Sequence, residues 1–192
     1  MIRSLYFDDP DDSCLYEIAA GVDLRSKYRI RYYGDDTGRI SLEKKAKRSN
    51  LMLKRISLLT KEEAQLLCAG RYLRDCASLD PLKKEMTWKI MAKGFRPAVI
   101  VEYERIPYVF AAGNVRITFD TNIRSSNDTA DFLGDYSYTR PVLPSGRMIL
   151  EVKYDEFLPA LIYDCINITD LQQLSISKYA LCRRYENMNG GM

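Results

Sequence analysis

The chain has 192 residues, with 29 Lys and Arg against 26 Asp and Glu, and this balance is that of a globular protein rather than a bulk polycation. It contains no histidine, which excludes Ser–His and Cys–His nucleophile pairs, His-ligated zinc and imidazole acid–base catalysis. Its five cysteines form no CxxC pair and no apolar run could span a bilayer, so we predict a reduced, cytoplasmic protein without a membrane segment.

The first third of the chain has the pattern of strands around one short helix. A strand is expected at 2–7 and a helix at 13–21, and a meander of three strands follows at 26–33, 39–47 and 51–58. Sequential strands joined by short turns usually pair antiparallel. The pattern therefore indicates an antiparallel sheet.

Two helices with clear start signals follow. Thr60 and Glu63 have the spacing of a capping box, and Asp80-Pro81 opens a second helix that Gly94 ends. A cap residue accepts hydrogen bonds from backbone N–H groups that have no partner within the helix. We therefore expect both helices to begin at these residues.

The second half returns to strands and closes with helices. The predicted order is a strand at 98–105, a strand at 107–119, a polar loop at 121–146, a strand at 147–154 and helices at 158–166 and 177–185. Strands with inserted helices indicate the α+β class. We predict one domain over residues 1–186 and a flexible tail at 187–192.

Ionic residues alternate with other residues in several of these strands. The alternating sets are Lys27-Arg29-Arg31, Glu43-Lys45-Lys47, Glu102-Glu104 and Glu151-Lys153. Side chains two apart on a strand share a face. Several such faces turned toward one another would line a polar interior that suits a polyanion and its metal ion, which favours a barrel over a sandwich.

Five blocks of the sequence resemble the VTC domain, a polyphosphate polymerase domain of the CYTH-like triphosphate tunnel metalloenzyme superfamily. The blocks are Tyr28-Arg29-Ile30-Arg31-Tyr32-Tyr33-Gly34, Leu42-Glu43-Lys44-Lys45, Asn114-Val115-Arg116-Ile117-Thr118-Phe119-Asp120, Leu150-Glu151-Val152-Lys153 and Ser177-Lys178-Tyr179. They come in the family's order and cover nearly the whole chain. The strand with which the family usually begins has no counterpart here, which would leave open sheet edges.

The resemblance implies a closed antiparallel β-barrel with inserted and C-terminal helices, whose tunnel binds ATP or another triphosphate and polyphosphate with Mn²⁺ or Mg²⁺. Carried over by motif, the phosphate ligands are Arg29, Arg31, Lys45, Lys54, Arg105, Arg116 and Lys178, and the metal ligand is Glu151. Arg29, Arg31, Lys45 and Arg116 are expected to act in catalysis. Arg3, Glu43, Asp120 and Lys153 are expected as neighbours in the tunnel.

The implied reaction is transfer of the γ-phosphate of ATP to a polyphosphate chain. The alternatives are a triphosphatase of the same fold, with Glu43 or Glu104 activating water, and a non-catalytic sensor of polyphosphate or inositol phosphates. The basic strands could also form a solvated outer face. Tyrosines beside arginines could stack on RNA bases, but without a recognisable RNA-binding module nucleic acid is not expected as a partner. The oligomeric state stays open.

Overall fold

A computed structural model describes residues 1–34, 36–49, 51–74, 77–134, 138–167 and 171–189. The strands are β1 Ile2–Asp8, β2 Arg25–Tyr33, β3 Asp36–Arg48, β4 Leu51–Leu59, β5 Arg96–Phe110, β6 Val115–Ser126, β7 Arg140–Pro141 and β8 Ile149–Lys153. The helices are α1 Ser13–Ala19, α2 Lys61–Cys68, α3 Pro81–Lys93, α4 Ala160–Ile166 and α5 Lys178–Asn189. None of the helices in the described ranges is long and apolar enough to cross a membrane.

All eight strands form one antiparallel sheet in the order β4-β3-β2-β1-β5-β6-β7, and β8 also pairs with β6. Among the described residues, β4 pairs with β3 alone, so the sheet does not close. The predicted α+β class with an antiparallel sheet is therefore confirmed, whereas the predicted closed barrel is wrong. Closure requires a strand on the free edge of β4.

The central strand β1 separates two faces of different chemistry. Leu5 and Phe7 point to one face and are 0% and 1% exposed, while Ser4 and Tyr6 point to the other. Helices α2 and α3 lie against the Leu5 face, where Phe95, just after α3, packs edge-on against Tyr28 of β2. This face holds the apolar core, so the opposite face is free to carry ionic groups.

The C-terminal helix α5 lies at one end of the opposite face. The Tyr179 ring stacks on that of Tyr6 with centroids 5.0 Å apart, and the Tyr179 hydroxyl donates to the buried Asp8 carboxylate. Asp8 also accepts from the backbone N–H groups of Cys14 and Leu15 in α1. A single buried carboxylate thus joins β1, α1 and α5.

Several predicted boundaries require correction. β5 continues through Pro107 to Phe110, because its pairing with β1 ends at Tyr103 and proline is tolerated where a strand is an edge. β6 extends to Ser126 into the predicted loop, and α5 continues to Asn189 into the predicted tail; residues 190–192 lie outside the described ranges. The predicted capping box at Thr60 is confirmed.

Candidate functional site

The ionic side chains converge on the face of the sheet that carries Tyr6, which we call the cationic face. Strand register places them there, since residues directly opposite one another in neighbouring strands share a face. Its members are Ser4 and Tyr6 of β1, Lys27, Arg29 and Arg31 of β2, Glu43 and Lys45 of β3, Lys54 of β4, Tyr103 and Arg105 of β5, Arg116 and Asp120 of β6, Glu151 and Lys153 of β8 and Lys178 of α5.

Arg29 is held in place by a carboxylate and a phenol. Its Nε and Nη2 atoms donate to Glu43 Oε2 at 2.8 and 2.5 Å, and its Nη1 atom donates to the Tyr6 hydroxyl at 2.8 Å. The other Glu43 oxygen lies 3.1 Å from Lys54 Nζ. Burial opposes ionisation of Glu43, but the positive charges of Arg29 and Arg31 outweigh it and lower the pKa of this carboxyl. Glu43 is therefore an anionic anchor for two cations.

Arg31 is oriented by hydroxyl groups. Its Nε atom donates to Ser4 Oγ at 2.9 Å and its Nη2 atom donates to the Tyr103 hydroxyl at 3.1 Å, with only 5% of the residue exposed. It forms no ion pair with any described residue. A buried guanidinium without a carboxylate beside it has strong affinity for an anion.

Tyr103 lies at the centre of three cations. The guanidinium carbons of Arg31 and Arg105 are 6.0 and 5.4 Å from the centre of its ring, and Lys178 Nζ is 5.0 Å away. These distances are in the range of cation–π attraction. The ring thus gathers cations from β2, β5 and α5 around one point.

Asp120 fixes two of these cations. Arg105 donates to its two oxygens at 2.6 and 2.7 Å, and Lys178 Nζ lies 2.5 Å from Oδ2. The Asp120 side chain is 0% exposed, so it cannot itself reach a ligand. Burial disfavours its charge, yet the hydrogen bonds from Arg105 and Lys178 keep its pKa below the ordinary value.

Glu151 is the most accessible carboxylate of the group, with 35% of its side chain exposed. It lies 2.8 Å from Lys153 Nζ and 3.5 Å from an Arg105 nitrogen. Burial opposes its ionisation, but Lys153 and the other nearby cations lower its pKa, so it is anionic at neutral pH.

The described residues contain no cluster of three carboxylate or thiol groups that could enclose a metal ion. Glu151 could nevertheless contribute one oxygen. Mg²⁺ commonly takes only one or two carboxylates and completes its coordination with phosphate and water. The residues present therefore fit a Mg²⁺ or Mn²⁺ ion held jointly by Glu151 and a bound phosphate chain.

Arg3 and Glu104 lie apart from the clustered cations, and Arg116 lies at their margin. Arg3 was expected beside the tunnel, but it points to the opposite face, where it is buried 2.8 Å from Glu102; its alternation with Ser4 requires this. Arg116 lies on the same face of β6 as Asp120, opposite Lys153, but it is exposed near the end of the β5–β6 arm and its side chain forms no ion pair with the described residues. Glu104 is exposed and accepts from Asn122, apart from the clustered cations.

Four residues of the cationic face were not predicted as site residues: Ser4, Tyr6, Lys27 and Tyr103. Two of them had a sequence signal, since Lys27 continues the series of Arg29 and Tyr103 stands two residues before Arg105. Ser4 and Tyr6 had none, because only the pairing of β1 with β2 brings them beside the arginines.

Comparison with known proteins places the chain in a family. No curated protein shows significant similarity. One matching solved structure, described as a candidate adenylate cyclase of Bacillus halodurans, has a TM-score of 0.40 and 17% identity over 65% of this chain. The match spans 57% of that protein, and at this TM-score it carries no weight for fold or function. The sequence profile of the VTC domain matches residues 1–186. The resemblance predicted from the five blocks is thereby confirmed, and the chain belongs to the VTC domain family.

Proposed function

We propose that the cationic face binds a triphosphate or polyphosphate and that, with a divalent metal ion, the domain transfers the γ-phosphate of ATP to a polyphosphate chain. The observation that carries this proposal is the convergence of Arg31, Arg105 and Lys178 on the Tyr103 ring, from three separate elements. Membership of the VTC domain family supports it.

The cations of the site would bind phosphates in two different ways. Arg29 and Arg31 share a face two residues apart, about 6.6 Å along the strand, and can contact different phosphates of one chain. Their planar guanidinium groups stay charged and donate two parallel hydrogen bonds to phosphate oxygens. Arg105 and Lys178 would neutralise charge on the transferred group, since phosphoryl transfer depends on positioning and charge stabilisation.

Glu151 would contribute a carboxylate to the metal ion. Bound there, the ion would neutralise charge on the phosphate oxygens and orient them for in-line transfer. Displacing the Lys153 ammonium from Glu151 would free that cation to contact phosphate. Lys153 is thus the counter-charge of this carboxylate, 2.8 Å from it.

The polymerase reaction suits this face better than hydrolysis. A terminal phosphate of the growing chain is already an anionic nucleophile, so no general base is required. Hydrolysis requires an oriented water and usually a base. Glu43 is a poor base, since Arg29 and Lys54 occupy its oxygens and its pKa is lowered. Glu104 is exposed away from the cations.

Incubation with ATP and Mn²⁺, with long-chain polyphosphate and free phosphate measured in parallel, tests the proposal. Long-chain product is expected from the wild-type chain, at a rate that Arg29→Gln reduces at least tenfold. Arg48→Gln removes one positive charge from the opposite face of β3 and serves as the matched control. Free phosphate alone would make the domain a triphosphatase. Binding of polyphosphate without any product would make it a sensor.

A further inference from the structure

Three strands extend past the rest of the sheet as an arm with two different faces. Pairing of β5 with β1 ends at Tyr103, so residues 105–110 of β5, residues 115–120 of β6 and the whole of β8 pair only among themselves. One face of this arm belongs to the cationic face and carries Arg105, Asp120 and Glu151. The candidate site therefore uses only one side of the arm.

The reverse face of the arm is apolar. Residues directly opposite one another in neighbouring strands share a face, and this groups the side chains in rows across the arm. The rows are Ile106-Phe119-Leu150 and Tyr108-Ile117-Val152, and Phe110 follows them on β5. None of these side chains carries a charge. We call the seven residues the apolar arm face.

Much of the apolar arm face is open to water. Ile106, Tyr108 and Phe110 are 50%, 58% and 40% exposed, and the other four residues are half-buried. The Tyr108 ring packs edge-on against Phe119 of the neighbouring strand, with centroids 5.9 Å apart. The side chains therefore contact one another, but the face has no cover that excludes water.

The rest of this side of the sheet is covered by helices. Ile100 of β5 lies opposite Leu5, and Ile106 is an even number of residues further along, so both point to the side that carries α2 and α3. Ile100 is 0% exposed, in contrast to Ile106. An antiparallel sheet normally packs one face against other apolar groups. The arm continues that face beyond the helices, where a partner could take their place.

The size of the apolar arm face fits an interface. A large side chain offers about 150–250 Å² when fully exposed, so the seven residues together present about 500 Å² to water. Contiguous apolar patches of this size on a single chain commonly mark interaction sites. Two such faces packed together would bury about 1,000 Å², the lower limit for a specific interface.

The free edge of the arm is poorly suited to an added strand. Pro107 lies within the part of β5 that extends beyond β1, and proline has no N–H group to donate to a neighbouring strand. Proline is one of the residues that protect exposed sheet edges from pairing. A partner is therefore expected on the face of the arm.

The charges around the apolar arm face favour a protein over a lipid surface. Glu104 lies at the base of the arm, and Asp155 and Glu156 follow β8 near its tip. Surfaces that bind membranes carry Lys and Arg around their apolar residues, because these attract anionic lipids. The acidic groups here would oppose that attraction.

The two ends of β8 carry opposite charges. Arg147 precedes the strand, is exposed and forms no ion pair with the described residues, whereas Asp155 and Glu156 follow the strand. In a two-fold dimer whose stacked strands run in opposite directions, the start of β8 in one copy lies over the end of β8 in the other. Each Arg147 then meets the acidic end of its partner, and symmetry makes the contact twice.

We infer that the apolar arm face is the interface of a homodimer, in which the arms of two copies pack face to face with their strands antiparallel. The uncharged faces complement each other without like-charge repulsion, and a two-fold interface closes at two copies. The cationic faces stay open on the outer sides of the dimer. The inference does not depend on the proposed function, since it concerns the reverse of the arm.

Sedimentation velocity of the full chain over a series of concentrations tests the inference. The wild-type chain is expected to convert from monomer to dimer and to form nothing larger. Tyr108→Glu places a charge at the centre of the face and should raise the dissociation constant about tenfold or more. Val109→Glu is the matched control, because the next residue is 72% exposed on the other side of the arm, and it should leave dimerisation unchanged.

A charge swap tests the arrangement of the two copies. Arg147→Glu should weaken the dimer about threefold to tenfold, since each symmetric contact changes from attraction to repulsion. Adding Glu156→Arg to that variant should restore most of the affinity. A double variant that dimerises no better than Arg147→Glu would overturn the antiparallel arrangement. Thermal unfolding of each variant confirms that it is folded.

Three results would overturn the interface itself. They are a wild-type chain that stays monomeric at all concentrations, equal dimerisation of Tyr108→Glu and Val109→Glu, and growth into open-ended oligomers. Flotation with phosphatidylcholine vesicles examines the other occupant. A monomeric wild-type chain that bound these vesicles, and lost them on Tyr108→Glu, would show that the face meets a lipid surface.

Discussion

Replacing Asp120 by Asn should be among the most destabilising single changes on the cationic face. The carboxylate is 0% exposed, and it carries a bidentate pair with Arg105 and a close contact with Lys178. Asparagine keeps the shape but removes the charge, so Lys178 loses its counter-ion and Arg105 keeps only Glu151 at 3.5 Å. Arg105 belongs to β5 and Lys178 to α5, so the change also weakens the attachment of the C-terminal helix.

The magnitude follows from the burial of the three groups. Removing one partner of a fully buried ion pair costs about 3–5 kcal/mol. Arg105 and Lys178 keep 26% and 17% exposure, so each recovers part of its hydration when the anion is lost. We expect a loss of about 2–3 kcal/mol at pH 7. For a chain of this size that corresponds to a fall of about 4–12 °C in Tm.

Urea and thermal unfolding across a pH series would measure this loss. The folded pKa of Asp120 lies below its unfolded value, so its stabilising charge is complete above the ordinary pKa of about 3.9 and is lost as the pH falls through the folded pKa. Wild type and Asp120→Asn should therefore converge in strong acid. Asp11→Asn, on an exposed turn, is the control. A difference below about 1 kcal/mol at pH 7, or one that does not shrink with acid, would refute the reasoning.

Three further predictions concern binding, turnover and the free protein. Lys178→Met should weaken tripolyphosphate binding about tenfold in calorimetry and have a smaller effect in an Asp120→Asn background, because there the ammonium of Lys178 is no longer fixed by its carboxylate; additive losses would argue against this. Glu151→Gln should abolish turnover of ATP with Mn²⁺ in the phosphate-release and polyphosphate assays while leaving metal-free polyphosphate binding intact, and normal turnover would exclude Glu151 as the metal ligand. Lys27→Met should raise the Tm of the unliganded protein by about 1–2 °C, since it removes a partly buried charge that faces another lysine; a lower Tm would mean that its bond to Ser177 outweighs the repulsion.

The alternating pattern of the strands predicted the part of the site that lies within single strands. The period of two is fixed by strand geometry, so Arg29 and Arg31 had to share a face, as did Glu43 and Lys45. The same rule, applied to Arg3-Leu5-Phe7, would have assigned Arg3 to the apolar face, and the family likeness misled at that residue. For Arg3, the alternation of residues along the strand predicts the correct face of the sheet.

The long-range part of the site could not be derived in this way. The contact of Lys178 with Asp120 depends on where α5 lies, and nothing in the local sequence of α5 specifies this. Closure of the sheet likewise depends on its accumulated curvature and on what pairs with the edge of β4. Lys178 was predicted as a site residue only from the resemblance to the VTC domain. The same resemblance predicted a closed barrel, which the described strands do not form.

The cations of this face fall into two classes, and the difference has a functional meaning. Arg29, Arg105 and Lys178 are each bound by a buried carboxylate, which fixes their geometry. Fixed geometry is what a reacting phosphate requires, because catalysis of phosphoryl transfer is mainly a matter of position. Lys27 and Lys45 have no such anchor among the described residues and repel each other. Loosely held charges suit the non-reacting part of a polymer, which has to advance after each transfer and so cannot be gripped in a single register. If the proposed function holds, the carboxylates Glu43 and Asp120 mark the cations that contact the reacting phosphates, and Lys27 and Lys45, which lack such an anchor, lie beside the part of the chain that does not react.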